Sequence, residues 1–218
     1  EVLKVYNIDE NPMEYAAATN NLGIVCTNLA EVHDKSENCL LAVKFYEKAL
    51  KVYAFKSFPL QYSYTQNNLG NTYRTMSEEV EKTGNLKRAI KCYEQALKVR
   101  TIENMPIQYA ATQNNLGVSY RSLAEVESKE ENCNNAIKAY ESALIVYTEE
   151  KFPLQYATTN NNLAMAYSTL AEIQDKDKNF NSAINSYKEA QKVFNKEDYG
   201  DIYKMIEENI IFLQDSFK

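Results

Sequence analysis

Two adjacent asparagines recur through this 218-residue chain at one spacing: Asn20-Asn21, Asn67-Asn68, Asn114-Asn115 and Asn161-Asn162, each pair 47 residues after the last. An amide side chain offers a donor and an acceptor together, which matches the C=O and N–H of an extended peptide main chain. Asn is also a mediocre helix former, costing roughly 0.5 kcal/mol against Ala, and Lys or Glu would serve solubility better. Eight such residues in fixed register point to main-chain capture. The alternative is that one Asn of each pair bonds across to the neighbouring repeat. Arg74 and Arg121 share one repeat position, flanked by Thr27 and Ser168 at the same position outside them. Guanidinium groups at such positions attract an acidic side chain or a terminal carboxylate, unless each is consumed by a neighbouring Glu.

Other chemistry has little to work with. His33 is the single histidine, and no Ser, Cys or carboxylate stands in a fixed relation to it, so no catalytic residue is assigned. Five glycines supply no phosphate-binding loop. Cys26, Cys39, Cys92 and Cys133 lack paired metal-ligand spacing, and the position of Cys39 and Cys133 is filled elsewhere by Leu86 and Phe180. They read as small buried hydrophobes in a reducing, cytoplasmic setting, with no metal and no cofactor expected. A net charge of −6 and a pI near 5.1 argue against nucleic acid as a partner. The acidity is concentrated in segments 31–37, 78–84, 125–131 and 172–178, which hold 13 acidic and 5 basic residues and read as a solvated edge. No apolar run reaches the roughly 18 residues of a bilayer span, so no membrane partner is expected.

The elements that must position the asparagines follow from the same step. Pro12, Pro59, Pro106 and Pro153 keep it, as do Leu22, Leu69, Leu116 and Leu163, and Ala42, Ala89, Ala136 and Ala183. Each unit reads as two helices. The first, helix A, is predicted over about Tyr15–His33 and its equivalents, with the proline just before it. On a wheel of about 100° per residue, Tyr62, Leu69, Tyr73 and Met76 fall together on the buried side. Asn67, Asn71, Arg74 and Thr75 lie opposite, with Asn68 at the border. The turn that follows offers Asn38, Asn85, Asn132 or Asn179 to cap helix B. Helix B carries Ala89, Ile90, Tyr93, Ala96, Leu97 and Val99 at helical spacing. The recurring tyrosines (Tyr15, Tyr62, Tyr109, Tyr156, Tyr203 and Tyr46, Tyr93, Tyr140, Tyr187) are assigned to packing between repeats.

This register divides the chain into repeats over 12–58, 59–105, 106–152 and 153–199, all within one array over 1–218. Residues 1–8 read as the end of a preceding helix B, because Leu3-Lys4-Val5-Tyr6 lies 47 residues before Leu50-Lys51-Val52-Tyr53. The expectation is a fragment of a longer protein with a repeat upstream. Residues 200–218 read as a capping helix, with Tyr203, Asn209 and Ile210 in register with Tyr156, Asn162 and Leu163.

Leu69-Gly70-x-x-Tyr73, then Ala89-x-x-x-Tyr93-x-x-Ala96, then a proline before the next helix, resembles the tetratricopeptide repeat. The departures are the 47-residue length, Cys26 at the Tyr position and Ala164 at the Gly position. Pro153-Leu-Gln-Tyr156-Ala157 with Asn161-Asn162-Leu163-Ala164 is more closely similar to the variant found in kinesin light chains and prokaryotic arrays. The resemblance implies an all-α, right-handed superhelical solenoid whose A helices line a concave groove. It also implies an interaction role with no catalysis, and that Asn21, Asn68, Asn115 and Asn162 hold a bound peptide's backbone. Prokaryotic arrays of this kind often flank a signalling NTPase or a caspase-like protease. The expected function is a scaffold binding an extended or short helical segment of a protein partner. Its binding residues are those four with Asn67, Asn114, Asn71, Arg74 and Arg121, the arginines selecting acidic residues. The competing assignments are self-association into a homo-oligomer, or a sensor arm of a larger signalling protein.

Overall fold

A computed structural model describes residues 6–216, and every regular element in that range is an α-helix. In chain order these are α1 (Pro12–Ala30), α2 (Lys35–Leu50), α3 (Pro59–Met76), α4 (Lys82–Leu97), α5 (Pro106–Ala124), α6 (Lys129–Leu144), α7 (Pro153–Ala171), α8 (Lys176–Val193) and α9 (Gly200–Ser216). They fall into two compact units, one ending at Thr101 and one beginning at Ile102. In the first unit α1 packs on α2, α2 on α3 and α3 on α4. In the second α5 packs on α6, α6 on α7, α7 on α8 and α8 on α9. Helix pairs stacked on their neighbours are the arrangement of an α-solenoid.

The odd-numbered helices α1 to α7 begin on the proline itself rather than after it. The missing proline N–H is one of the amides a helix start leaves unpaired in any case. These helices also stop short of the predicted end, α1 at Ala30 rather than His33. The reason is a left-handed residue in each inter-helix turn: Asp34, Glu81, Ser128 and Asp175, with φ of 41°, 43°, 45° and 43°. A non-glycine residue there costs about 1–2 kcal/mol, so something must hold it.

The conserved-register asparagine of the turn does so, in a role other than the one expected. Asn38, Asn85, Asn132 and Asn179 do not cap helix B with an oxygen; they lie inside its first turn. Each Nδ2 donates backwards to a backbone carbonyl: of His33 (2.8 Å), Val80 (2.7 Å), Glu127 (2.8 Å) and Gln174 (2.7 Å). The bond spans the left-handed residue and clamps the turn shut. Asn85 uses its oxygen as well, accepting from Arg88 Nη1 at 2.9 Å.

Three of the four linkers from a B helix into the next A helix are braced by an edge-to-face aromatic pair: Tyr53–Phe58, Tyr147–Phe152 and Phe194–Tyr199. The second linker has Arg100 and Met105 at those positions. There the buried Arg100 guanidinium lies 4.7 Å from the centre of the Tyr64 ring, and burial lowers its pKa to about 10. Tyr6 to Asn11 is the same kind of non-helical lead into α1. Residues 6–8 therefore do not continue a helix, and the remainder of the expected 1–8 helix end lies outside the described residues. Within each unit the two acidic turn segments are joined: Lys35 bonds Glu78 at 2.8 Å in the first, and Lys129 bonds Glu172 at 2.6 Å in the second.

Candidate functional site

The asparagine pairs sit mid-way along the odd helices, and the two members of a pair do different things. Asn20 Oδ1 accepts a hydrogen bond from Thr65 Oγ1 of the next pair at 3.0 Å, and Asn114 Oδ1 accepts from Thr159 Oγ1 at 3.3 Å. The partner lies 45 residues ahead in both cases. Beside the first of these bonds, the hydroxyls of Thr27 and Thr72 meet at 2.9 Å, and Thr27 also meets the Tyr46 hydroxyl at 3.2 Å. Asn20 and Asn114 thus stitch neighbouring A helices together within their units. Asn161 is set up for the same bond, but the position 45 residues ahead of it is Ile206. Its Oδ1 is buried with no partner. Asn67 is half-buried. Asn71 accepts the Tyr93 phenol O–H at 2.8 Å, which ties it to helix α4.

Among the second members Asn21 is exposed, and Asn68, Asn115 and Asn162 are half-buried, as are Asn67, Asn114 and Asn161. Asn21 lines an open cleft of about 460 Å³ with Tyr6, Glu14, Ala17 and Val25. Asn114 and Asn115 together line a smaller one of about 210 Å³ between α5 and α7, with Tyr147, Leu154 and Thr158. Asn209 on α9, in register with Asn162 but not counted among the expected binding residues, lines a cleft of about 500 Å³ in the second unit.

Arg121 borders that cleft. Its Nε is buried with no partner, and its Nη1 lies 3.8 Å from Glu125 Oε1, at the limit of an ion pair. Arg74 in the first unit likewise has a buried, unpartnered Nε. The thiols are poorly placed for chemistry. All four cysteines are buried and unpaired in disulfides, and burial raises each thiol pKa, that of Cys92 to about 12. His33 is exposed, and its ring meets Asp34 at 2.7 Å. Among the described residues no group of three or more His, Cys, Asp or Glu is placed to hold a metal ion, and no helix is long and apolar enough to cross a membrane.

A tetratricopeptide-repeat family model matches residues 81–101, from the left-handed turn residue through the whole of α4. No curated protein matches the chain. The matched helix belongs to a pair that the 47-residue step repeats along the sequence and the fold repeats in space. The chain is a repeat protein of the tetratricopeptide type.

The residues that mark a tetratricopeptide helix pair have a packing reason here. A Cβ added to Gly23, Gly70 or Gly117 would lie 2.6, 2.7 or 2.6 Å from Cε1 of Tyr46, Tyr93 or Tyr140. Each glycine therefore lets a fully packed ring of helix B lie directly on the backbone of helix A. The small residues Ala42, Ala89 and Ala136, one turn before those rings, are buried with them. This contact fixes the roll of helix A against helix B. The aromatic residues assigned to packing divide accordingly: Tyr46, Tyr93, Tyr140 and Tyr187 are buried, while Tyr15, Tyr62, Tyr109, Tyr156 and Tyr203 are half-buried.

Proposed function

We propose that this tetratricopeptide-type chain is a non-catalytic scaffold that binds an extended or short helical segment of a partner protein on the face of its A helices. Asn21, Asn68, Asn115 and Asn162, with Asn209 as a fifth rung, bond the segment's main chain, and Arg74 and Arg121 favour acidic side chains. What supports the reading is the contrast between Asn20 and Asn21. Asn20 spends its oxygen on Thr65 of the next helix pair, whereas Asn21 is exposed and lines an open cleft. In the second unit Asn114 and Asn115 line one cleft together, and the Asn114 oxygen also accepts from Thr159. An amide at an open cleft can meet both the N–H and the C=O of a guest main chain.

The test is a binding screen of disordered peptide segments followed by the double variant Asn68→Ala, Asn115→Ala. Isothermal calorimetry should show binding weakened by about 1–3 kcal/mol in total, with the urea midpoint unchanged or slightly raised. A sharp loss of stability would make these amides structural and end the proposal.

A second reading, self-association, is favoured by one observation. Val25 and Leu29 of α1 are 53% and 45% exposed, whereas Thr72 and Met76, and Ala166 and Leu170, at the same repeat positions are buried. Sedimentation equilibrium distinguishes the two readings. A peptide-indifferent dimer dissolved by Val25→Ser and Leu29→Ser supports the second, and a monomer that captures peptides supports the first.

A further inference from the structure

The cleft of about 500 Å³ in the second unit is lined by Arg121 from α5, Met165, Ser168 and Thr169 from α7, Lys176 and Tyr187 from α8, and Asn209 and Phe212 from α9. The Arg121 side chain is partly exposed, and its Nη1 lies 3.8 Å from Glu125, at the limit of an ion pair. The carboxylate in the lining, Glu172, is engaged by Lys129 at 2.6 Å. The same lining holds Phe212, 69% exposed, with Met165 and the buried Leu213. A large aromatic left in water in the same cleft as a weakly paired cation is costly for a free surface and fitting for a two-part ligand. We propose that this cleft selects a partner segment that places an acidic side chain beside an aromatic or branched apolar one, the carboxylate on Arg121 and the apolar group on Phe212 and Met165. The terminal helix α9 is then a wall of the binding site as well as the end of the stack. This rests on the scaffold reading above and names the side-chain chemistry that the reading leaves open.

The probe is a fluorescein-labelled Gly/Ser peptide carrying one Glu next to one Phe, compared with versions in which Gln replaces the Glu or Ser replaces the Phe. Fluorescence anisotropy on the full chain should show the Glu-Phe peptide bound about tenfold more tightly than either. Arg121→Gln should abolish the preference for Glu over Gln and leave the preference for Phe. Phe212→Ser changes an exposed residue and so leaves folding intact. It should abolish the preference for Phe over Ser and leave the preference for Glu. Preferences that survive both variants overturn the inference, as does failure of the Glu-Phe peptide to bind. If binding is lost in Asn68→Ala, Asn115→Ala but unaffected in the Arg121 and Phe212 variants, the scaffold reading stands and this inference alone falls. If none of the four substitutions alters the binding of any peptide, both fall.

Discussion

A glycine under a tyrosine ring is the smallest feature on which this architecture turns. At Gly70 the missing Cβ leaves room for Tyr93, whose ring is fully buried and whose hydroxyl is bonded to Asn71. Gly70→Ala should gain about 1 kcal/mol of helix propensity and lose more by forcing that ring aside, for a net destabilisation of about 1–2 kcal/mol. The fourth pair is a natural control, because Ala164 occupies the glycine position and packs in one cluster with Tyr187. Ala164→Gly should also destabilise, by about 1 kcal/mol, since it adds backbone freedom and empties packed space. Urea denaturation of both variants checks the pair of signs. Stabilisation by Gly70→Ala would show that the ring yields freely.

At the scale of the elements, the inter-helix turn decides where each helix stops, and it was the least legible part of the sequence. The asparagines at 38, 85, 132 and 179 were visible, but as oxygens for a cap. Their work is done by Nδ2, across a left-handed residue that is Asp, Glu, Ser or Asp and so carries no common side-chain signal. Two substitutions follow with opposite signs. Ser128→Gly removes the left-handed strain and should stabilise by about 0.5–1 kcal/mol. Asn132→Ala removes the bond to the Glu127 carbonyl across the turn and should destabilise by about 1 kcal/mol. Thermal denaturation monitored by helix circular dichroism reads both. The helix faces could be read in part: Leu69 and Met76 are buried as expected, but Tyr62 and Tyr73 are half-buried, Thr65 and Thr72 are buried, and Asn71, expected on the opposite side, accepts from the buried Tyr93. Periodicity fixes a face because it is a local property. It could not say which asparagine of a pair would be spent, because the deciding hydroxyls, Thr65 and Thr159, come from the next helix pair.

For the whole molecule, seventeen tyrosines make alkaline pH the informative perturbation. Burial pushes the Tyr46 phenol up to about 12. Burial, reinforced by a 2.6 Å hydrogen bond donated to Glu189, does the same for Tyr156. Burial also carries the Cys92 thiol to about 12. These groups are neutral when protonated and their folded pKa values are raised, so the unfolded chain loses its protons first. Their contribution is intact below about pH 9 and declines as pH rises from there through 12. Urea midpoints should be flat up to about pH 9 and fall above it, and the last phenolates should appear together with loss of helix signal. Ionisation of all seventeen phenols with the helices intact would contradict the burial of these rings.

The buried oxygen of Asn161 facing Ile206 has a mechanical consequence. Hydroxyl-to-amide bonds have direction, so α3 on α1 and α7 on α5 are held at one longitudinal setting. Helix α9 buries only Ile206 and Leu213 among its described residues, and greasy contact resists separation far better than it resists sliding. Amide exchange should therefore be fastest in α9 among the nine helices, and Ile206→Thr should slow it by giving that oxygen its missing donor. Helix α9 is then a loosely geared part, free to adjust its pitch to whatever lodges beside it.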